Sequence, residues 1–243
     1  MVKGRIRCTA QKFLAMRIGI ICEGVSDRAV IENVIIGITG LDTSDFEPLR
    51  PQDNFVETDI AAMDPNLFST WSVVKKECEE REKIEMFLQM DGQELVVIHL
   101  DSAEADAYGI DRPHKKDANY NETLRNLIVA KIDEWLENEY LESILHAIAI
   151  EEIEAWILTI YEKNDSSKTI DPKQKLKNVL SKERINSTED YDNYSGLSES
   201  LSKKKKIVRG QFYSYNYSLR AFVEEVQMKY NDRLDKLSLT FPE

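Results

Sequence analysis

Three short apolar runs in this chain end on carboxylates. Glu23 follows RIGIIC (17–22), Asp101 follows LVVIHL (95–100), and Glu151, Glu152 and Glu154 follow ILHAIAI (144–150). Carboxylate oxygens gathered in one place are the ligands that hard divalent ions prefer. Mg2+ or Mn2+ held this way keeps water positions that a phosphate can take over. A single acid in such a position is ordinarily a turn former or a helix cap. Three run-ends together point to a metal site built from Glu23, Asp101 and Glu152 or Glu154, only one of which is well directed if the strand continues. Asp27 lies four residues beyond Glu23, one helical turn on, where it can touch the same ion or a second one. Glu104 and Asp106 follow Asp101 at short range.

The elements that must position these acids follow from the hydrophobic pattern. Residues 17–22 are β-branched and apolar, and Glu23-Gly24 is followed by a helical spacing of Val30, Ile31, Val34 and Ile35. This predicts strand, turn and helix, with Gly24 in the tight turn and Ser26 as the N-cap. Residues 95–100 are too apolar for a surface strand and belong at the centre of a parallel sheet, covered on both faces. Residues 46–51 make an edge strand ending at Pro51. Helices are expected over 66–90, closed by Asp91-Gly92, and over 121–140. Residues 144–150 form another buried strand, followed by a helix over 155–161 in which Trp156 and Ile160 share a face. Strands alternating with helices predict an α/β fold, a doubly wound, mainly parallel sheet with right-handed crossovers. In such sheets ligands bind beyond the carboxyl ends of the strands, where all three acidic groups fall. The expected organisation is a leader over 1–15, the α/β domain over 16–163 and a helical, lysine-rich C-terminal extension over 164–243, with helices near 173–182, 197–208 and 218–230.

At 243 residues and 42% hydrophobic content the chain can bury a substantial core. Its formal charge of -12 argues against a protein that coats nucleic acid with a uniformly basic surface. A local basic region survives: between Lys168 and Arg209 eleven basic residues face six acids, including the run Lys203, Lys204, Lys205 and Lys206. These lysines and Arg209 are candidate nucleic-acid contacts, Lys204 a candidate for stabilising charge on a phosphate, and a merely solvated face is the equal alternative. Tyr213, Tyr215 and Tyr217 beside Phe212 can stack on bases or pack. Cys8, Cys22 and Cys78 have no metal or disulfide spacing and read as reduced thiols. No apolar run reaches membrane-spanning length and the N-terminus has no secretory pattern, so a cytoplasmic protein away from the membrane is expected. His99 reads as a satisfied core histidine, and His114 and His146 add no metal pattern. The segment after residue 22 lacks the glycine fingerprint of a dinucleotide site and has a carboxylate where a pyrophosphate would dock.

The motif Glu23-Gly24-Val25-Ser26-Asp27 between strand and helix resembles the first motif of the TOPRIM superfamily, and Asp101 matches the aspartate at the end of that family's later hydrophobic strand. Ile150-Glu151-Glu152-Ile153-Glu154-Ala155-Trp156 resembles a segment of the small OLD- and RloB-type TOPRIM-like nucleases of bacterial defence systems. The resemblance covers roughly residues 16–160. It implies a Mg2+- or Mn2+-dependent endonuclease that cuts DNA or RNA as a toxic effector in antiviral defence, with an ATPase partner and a homo-oligomeric state open to it. Glu23 would be a metal ligand and general base, and Asp101 the central ligand. Where the family carries Asp-x-Asp, the second aspartate falls on Ala103, leaving Glu104 or Asp106 to replace it. A non-catalytic TOPRIM-like interaction module is therefore the alternative.

Overall fold

The computed structural model describes residues 16–51, 70–207 and 212–240, with side chains given for all but Thr70 and the last four of these. Four strands, β1 (Arg17–Ile21), β2 (Phe46–Arg50), β3 (Gln93–Asp101) and β4 (Ile144–Ala149), form one sheet in the order β2-β1-β3-β4. Every neighbouring pair is parallel. Parallel pairing requires a crossover between consecutive strands, and these run over both faces of the sheet. The chain is thus an α/β protein with a parallel sheet, as its alternating pattern predicts. β2, the strand with proline in it, is an edge strand.

Side-chain alternation along the strands feeds two cores. Ile18, Ile20, Leu95, Val97, Leu145 and Ala147 face one helical layer, while Ile21, Val96, Ile98, Leu100, Ile144 and Ile148 face the other. The second layer holds α2 (Thr70–Glu80), α3 (Glu82–Leu88) and α4 (Tyr120–Trp135). The expected helix over 66–90 is broken here: Arg81 takes a left-handed conformation (φ 57°), turning the chain between α2 and α3. Residues 66–69 of that helix lie outside the described residues. The helix over 121–140 stops at Trp135, followed by left-handed Glu137, Asn138 and Tyr140.

The first layer combines α1 (Val25–Thr39) with elements from the C-terminal region: α5 (Glu154–Glu162), α6 (Pro172–Glu183), α7 (Tyr191–Ser198), α8 (Lys204–Ile207) and α9 (Tyr217–Thr240). Leu176, Leu180, Leu201, Phe222 and Val226 share one cluster with Val30, Ile31 and Val34 of α1. Fully burying a side chain of this size contributes about 1.5–3 kcal/mol, so these contacts hold the C-terminal helices to the sheet as core. Gly37 permits the closest approach, since a Cβ there would stand 2.1 Å from the Leu201 carbonyl oxygen. The helix expected over 197–208 is interrupted by a 3-10 segment, Glu199–Ser202, because the chain must bend around that contact. Residue 208 is outside the described residues.

Candidate metal centre

β1 leads through α1 to β2 on one side, whereas β3 leads through α4 to β4 on the other. The strand order therefore reverses between β1 and β3, and Glu23 and Asp101 stand at the carboxyl ends of those two strands. Crevices at such reversals are where open parallel sheets bind ligands.

Asp101 is fixed from both sides through its backbone. Its N–H donates to Glu23 Oε1 at 2.7 Å, and its carbonyl accepts from Trp71 Nε1 at 2.8 Å. Cys22, between β1 and Glu23, is held by its N–H to the Arg50 carbonyl (3.0 Å), and its buried thiol donates to the Gly24 carbonyl (3.2 Å). Cys78 is likewise a buried free thiol, and Cys8 lies outside the described residues. The helix cap differs from expectation: Gly24, in an extended conformation, is the N-cap of α1, and Ser26 lies inside the helix. Asp27, at the third helical position, accepts from the Gly24 N–H at 2.9 Å. A carboxylate in this place also favours the positive end of the helix.

After β4 the strand does not continue. Glu151 adopts φ 65°, and its N–H donates to Ser102 Oγ at 2.7 Å, turning the chain into α5. Beyond that turn Glu152 and Glu154 both come near enough to Asp101 to act on its carboxyl. Glu152 Oε2 accepts from the Lys173 N–H at the start of α6 (2.9 Å), and buried Glu154 accepts from the Tyr194 hydroxyl (2.8 Å).

The electrostatics show which acids converge. Burial pushes the Asp101 carboxyl well above the usual range, and Glu23, Glu154 and Glu152 push it further against the opposing Ile153 amide. Burial also raises Asp27, to about 8; His99 pulls it down, while Asp101, Glu23 and Glu154 push it up. Glu154 is raised by burial, against hydrogen bonds from Tyr194 and its own backbone. Acids from all three run-ends thus raise one another, as like charges in one place do.

Glu104 and Asp106, the expected replacements at Ala103, part company. Asp106 is exposed and pairs with Arg112 Nε at 3.1 Å, while Glu104 Oε2 is buried with no hydrogen-bond partner among the described residues. Ala103 is exposed, and its N–H bonds the Glu151 carbonyl at 3.1 Å.

Lys203, Lys204, Lys205 and Lys206 are not brought to the acids. They border α8, whose Ile207 packs by Gly37, twelve residues along α1 from Val25 and so about 18 Å from the end that carries Glu23. Lys203 pairs with Glu199 at 3.1 Å, and Lys206 lies over the Phe212 ring. Arg209 lies outside the described residues. Phe212 is buried in the core, so packing claims that member of the aromatic group, and Tyr217 stands under Arg220.

The cations that do approach the acids come from places the sequence did not single out. Lys173 interacts with Glu189, Glu154 and Glu152, which raise its ammonium despite the opposing effect of burial. Arg112 and Lys115 reach Glu151 at 3.5 and 3.1 Å. No local pattern announces these pairings, since Lys173 and Glu152 are twenty-one residues apart. His99 is buried as expected, but neither ring nitrogen has a hydrogen-bond partner among the described residues, and Nε2 stands 3.3 Å from Asp101 Oδ1.

Oxygen donors from Glu23, Asp27, Asp101, Glu152 and Glu154 suit Mg2+ or Mn2+. Asp101 Oδ1, a buried acceptor with no hydrogen-bond partner among the described residues, fits a cation at this point. As the side chains stand, no three acidic, histidine or cysteine groups among the described residues are set at metal-ligand spacing, so filling such a site requires carboxylate rotation. Among the described residues no helix is long and apolar enough to cross a membrane. The chain matches no family model, no curated protein and no solved structure.

Proposed function

We propose that this chain is a divalent-metal-dependent endonuclease of the TOPRIM type its motifs resemble, hydrolysing phosphodiester bonds of DNA or RNA. The observation that carries this reading is the convergence of carboxylates from three strand-ends at the reversal point of a parallel sheet, with Asp101 held rigidly among them. Glu23, Asp27, Asp101 and Glu154 would hold Mg2+ or Mn2+, whose chemistry is to activate water and stabilise charge on the phosphate. Glu23, whose Oε1 accepts the Asp101 N–H, would be the general base. Lys173 supplies positive charge beside Glu152 and Glu154, the part first sought in the lysine run. The same resemblance makes the chain an effector of bacterial antiviral defence held in check by an ATPase, which co-purification with the product of a neighbouring gene would test.

The test is cleavage of plasmid DNA and of total transfer RNA by the full chain with Mg2+ or Mn2+, beside Glu23→Ala and Asp101→Ala. Metal-dependent cutting that both variants lose by a hundredfold or more supports the proposal and names the polymer. A wild-type chain that cuts neither substrate with either ion, alone or with its partner, overturns it. One observation favours the alternative, a binding module: Ala103 offers no carboxylate, and its backbone is committed to Glu151. That reading predicts ion binding without cleavage.

A further inference from the structure

His99 and Asp101 are alternate residues of β3, so their side chains leave the sheet on the same face, the one covered by α1. His99 has no solvent exposure, and both its ring nitrogens are without hydrogen-bond partners among the described residues. Its Nε2 stands 3.3 Å from Asp101 Oδ1, itself a buried oxygen without a hydrogen-bond partner. The two atoms are near but not aligned for a hydrogen bond, so they pair as ions only when the imidazole is protonated. Buried polar atoms are nearly always hydrogen-bonded, so two that meet at one point without a hydrogen bond require a reason.

A shared ion supplies one. Two donors bound about 2.1 Å from the same ion at a right angle stand about 3.0 Å apart, close to the observed spacing.

We infer that His99 is a metal ligand beside Asp101, making the centre a mixed nitrogen–oxygen site that selects Mn2+ over Mg2+. Mg2+ takes oxygen ligands, whereas imidazole suits transition ions, above all Fe2+, Ni2+ and Zn2+; Mn2+ shares the oxygen ligands of Mg2+ but, as a first-row transition ion, accepts a nitrogen donor more readily, so a buried imidazole shifts the preference between these two toward Mn2+. This inference rests on the metal-centre reading and narrows the ion it takes. His146 gives no competing site, since its two nitrogens lie 2.9 and 3.1 Å from the carboxylates of Glu225 and Asp133.

The experiment is metal binding by the full chain after removal of metal with EDTA. Calorimetry with Mn2+ and with Mg2+ is paired with pulsed EPR of the Mn2+-loaded protein, which detects nitrogen bound directly to the ion. The expected result is Mn2+ affinity at least tenfold above Mg2+ affinity, with a nitrogen coupling that persists in His114→Ala and disappears in His99→Asn. In His99→Asn, Mn2+ affinity should fall at least tenfold and Mg2+ affinity less than twofold. Should His99→Asn fail to fold, the wild-type spectrum still decides. Mn2+ bound without nitrogen coupling, or equal affinity for the two ions, overturns the histidine ligand and leaves an all-oxygen centre standing. Binding of neither ion overturns the metal centre itself.

Discussion

Asp101 shows how one residue can be costly to fold and useful once folded. Its carboxyl is buried beside Glu23, Glu154 and Glu152, and its protonation is favoured in the folded chain. An acid raised on folding stabilises the folded state fully below its unfolded value and loses that contribution as pH rises through its folded value. For Asp27 the window runs from 3.8 to about 8. The metal-free chain should therefore lose stability across that range, and a divalent ion should restore it by replacing protons with a cation. Asp101→Asn should raise the metal-free Tm by roughly 2–4 °C, about 1 kcal/mol for a chain of this size, while abolishing stabilisation by Mn2+. Thermal unfolding with and without ion checks this, and a variant less stable than wild type in EDTA would contradict it. Glu23 and Asp101 were legible because each ends an apolar run. The opposite fate of His99 was not, because a histidine alternating within a buried strand has the same sequence pattern whether its ring is satisfied or orphaned.

At the scale of elements, the open side of β4 is closed by α9 rather than left as an exposed edge. Glu225 Oε1 accepts the His146 N–H at 3.2 Å, Arg125 donates to the His146 carbonyl at 3.3 Å, and Ser218 Oγ accepts the Ile150 N–H at 3.3 Å. Lys229 donates to the carbonyls of Leu141 and Ile144. These contacts occupy strand groups that could otherwise pair with another chain. Burial alone would lower the His146 imidazolium, but hydrogen bonds to Asp133 and Glu225 outweigh it and hold it above its ordinary value. For Glu225 burial works upward, yet His146, Arg125 and Lys229 keep it low. The histidine contribution is complete below its unfolded value of about 6.5 and is lost as pH rises through the folded value. The carboxylate contribution is present above 4.5, its ordinary value, and is lost as pH falls. Glu225→Ala should cost about 3–5 kcal/mol in urea unfolding, because it strands buried positive partners. The stability difference between wild type and His146→Asn should shrink from pH 6 to pH 9; a constant difference would refute a charged His146. The helix over 218–230 was legible from its spacing, but not its path along β4, which depends on contacts seventy to ninety residues apart.

For the whole molecule, the C-terminal helices and α1 form one face of the core, so the region beyond residue 163 is structural to the sheet. A fragment ending at residue 163 would expose the apolar side of α1 and lose Lys173 and Tyr194 from the acids. It should fail to give a cooperative unfolding transition, whereas the full chain should unfold in one. Gly37→Ala, a gentler disturbance of the same junction, should cost about 1–3 kcal/mol through its clash with Leu201. A stable, cooperatively unfolding fragment would disprove this account. By itself the sequence determined the alternation of strands and helices, the parallel character of the sheet and the acids at three strand ends, because local periodicity and chain connectivity carry that information. Tertiary structure alone decided that both Glu152 and Glu154 act on Asp101, that Lys173 rather than Lys204 stands beside them, and that His99 meets Asp101 without a hydrogen bond. Those outcomes depend on a turn at Glu151 and on helices packed from distant parts of the chain, and no spacing within one segment encodes them.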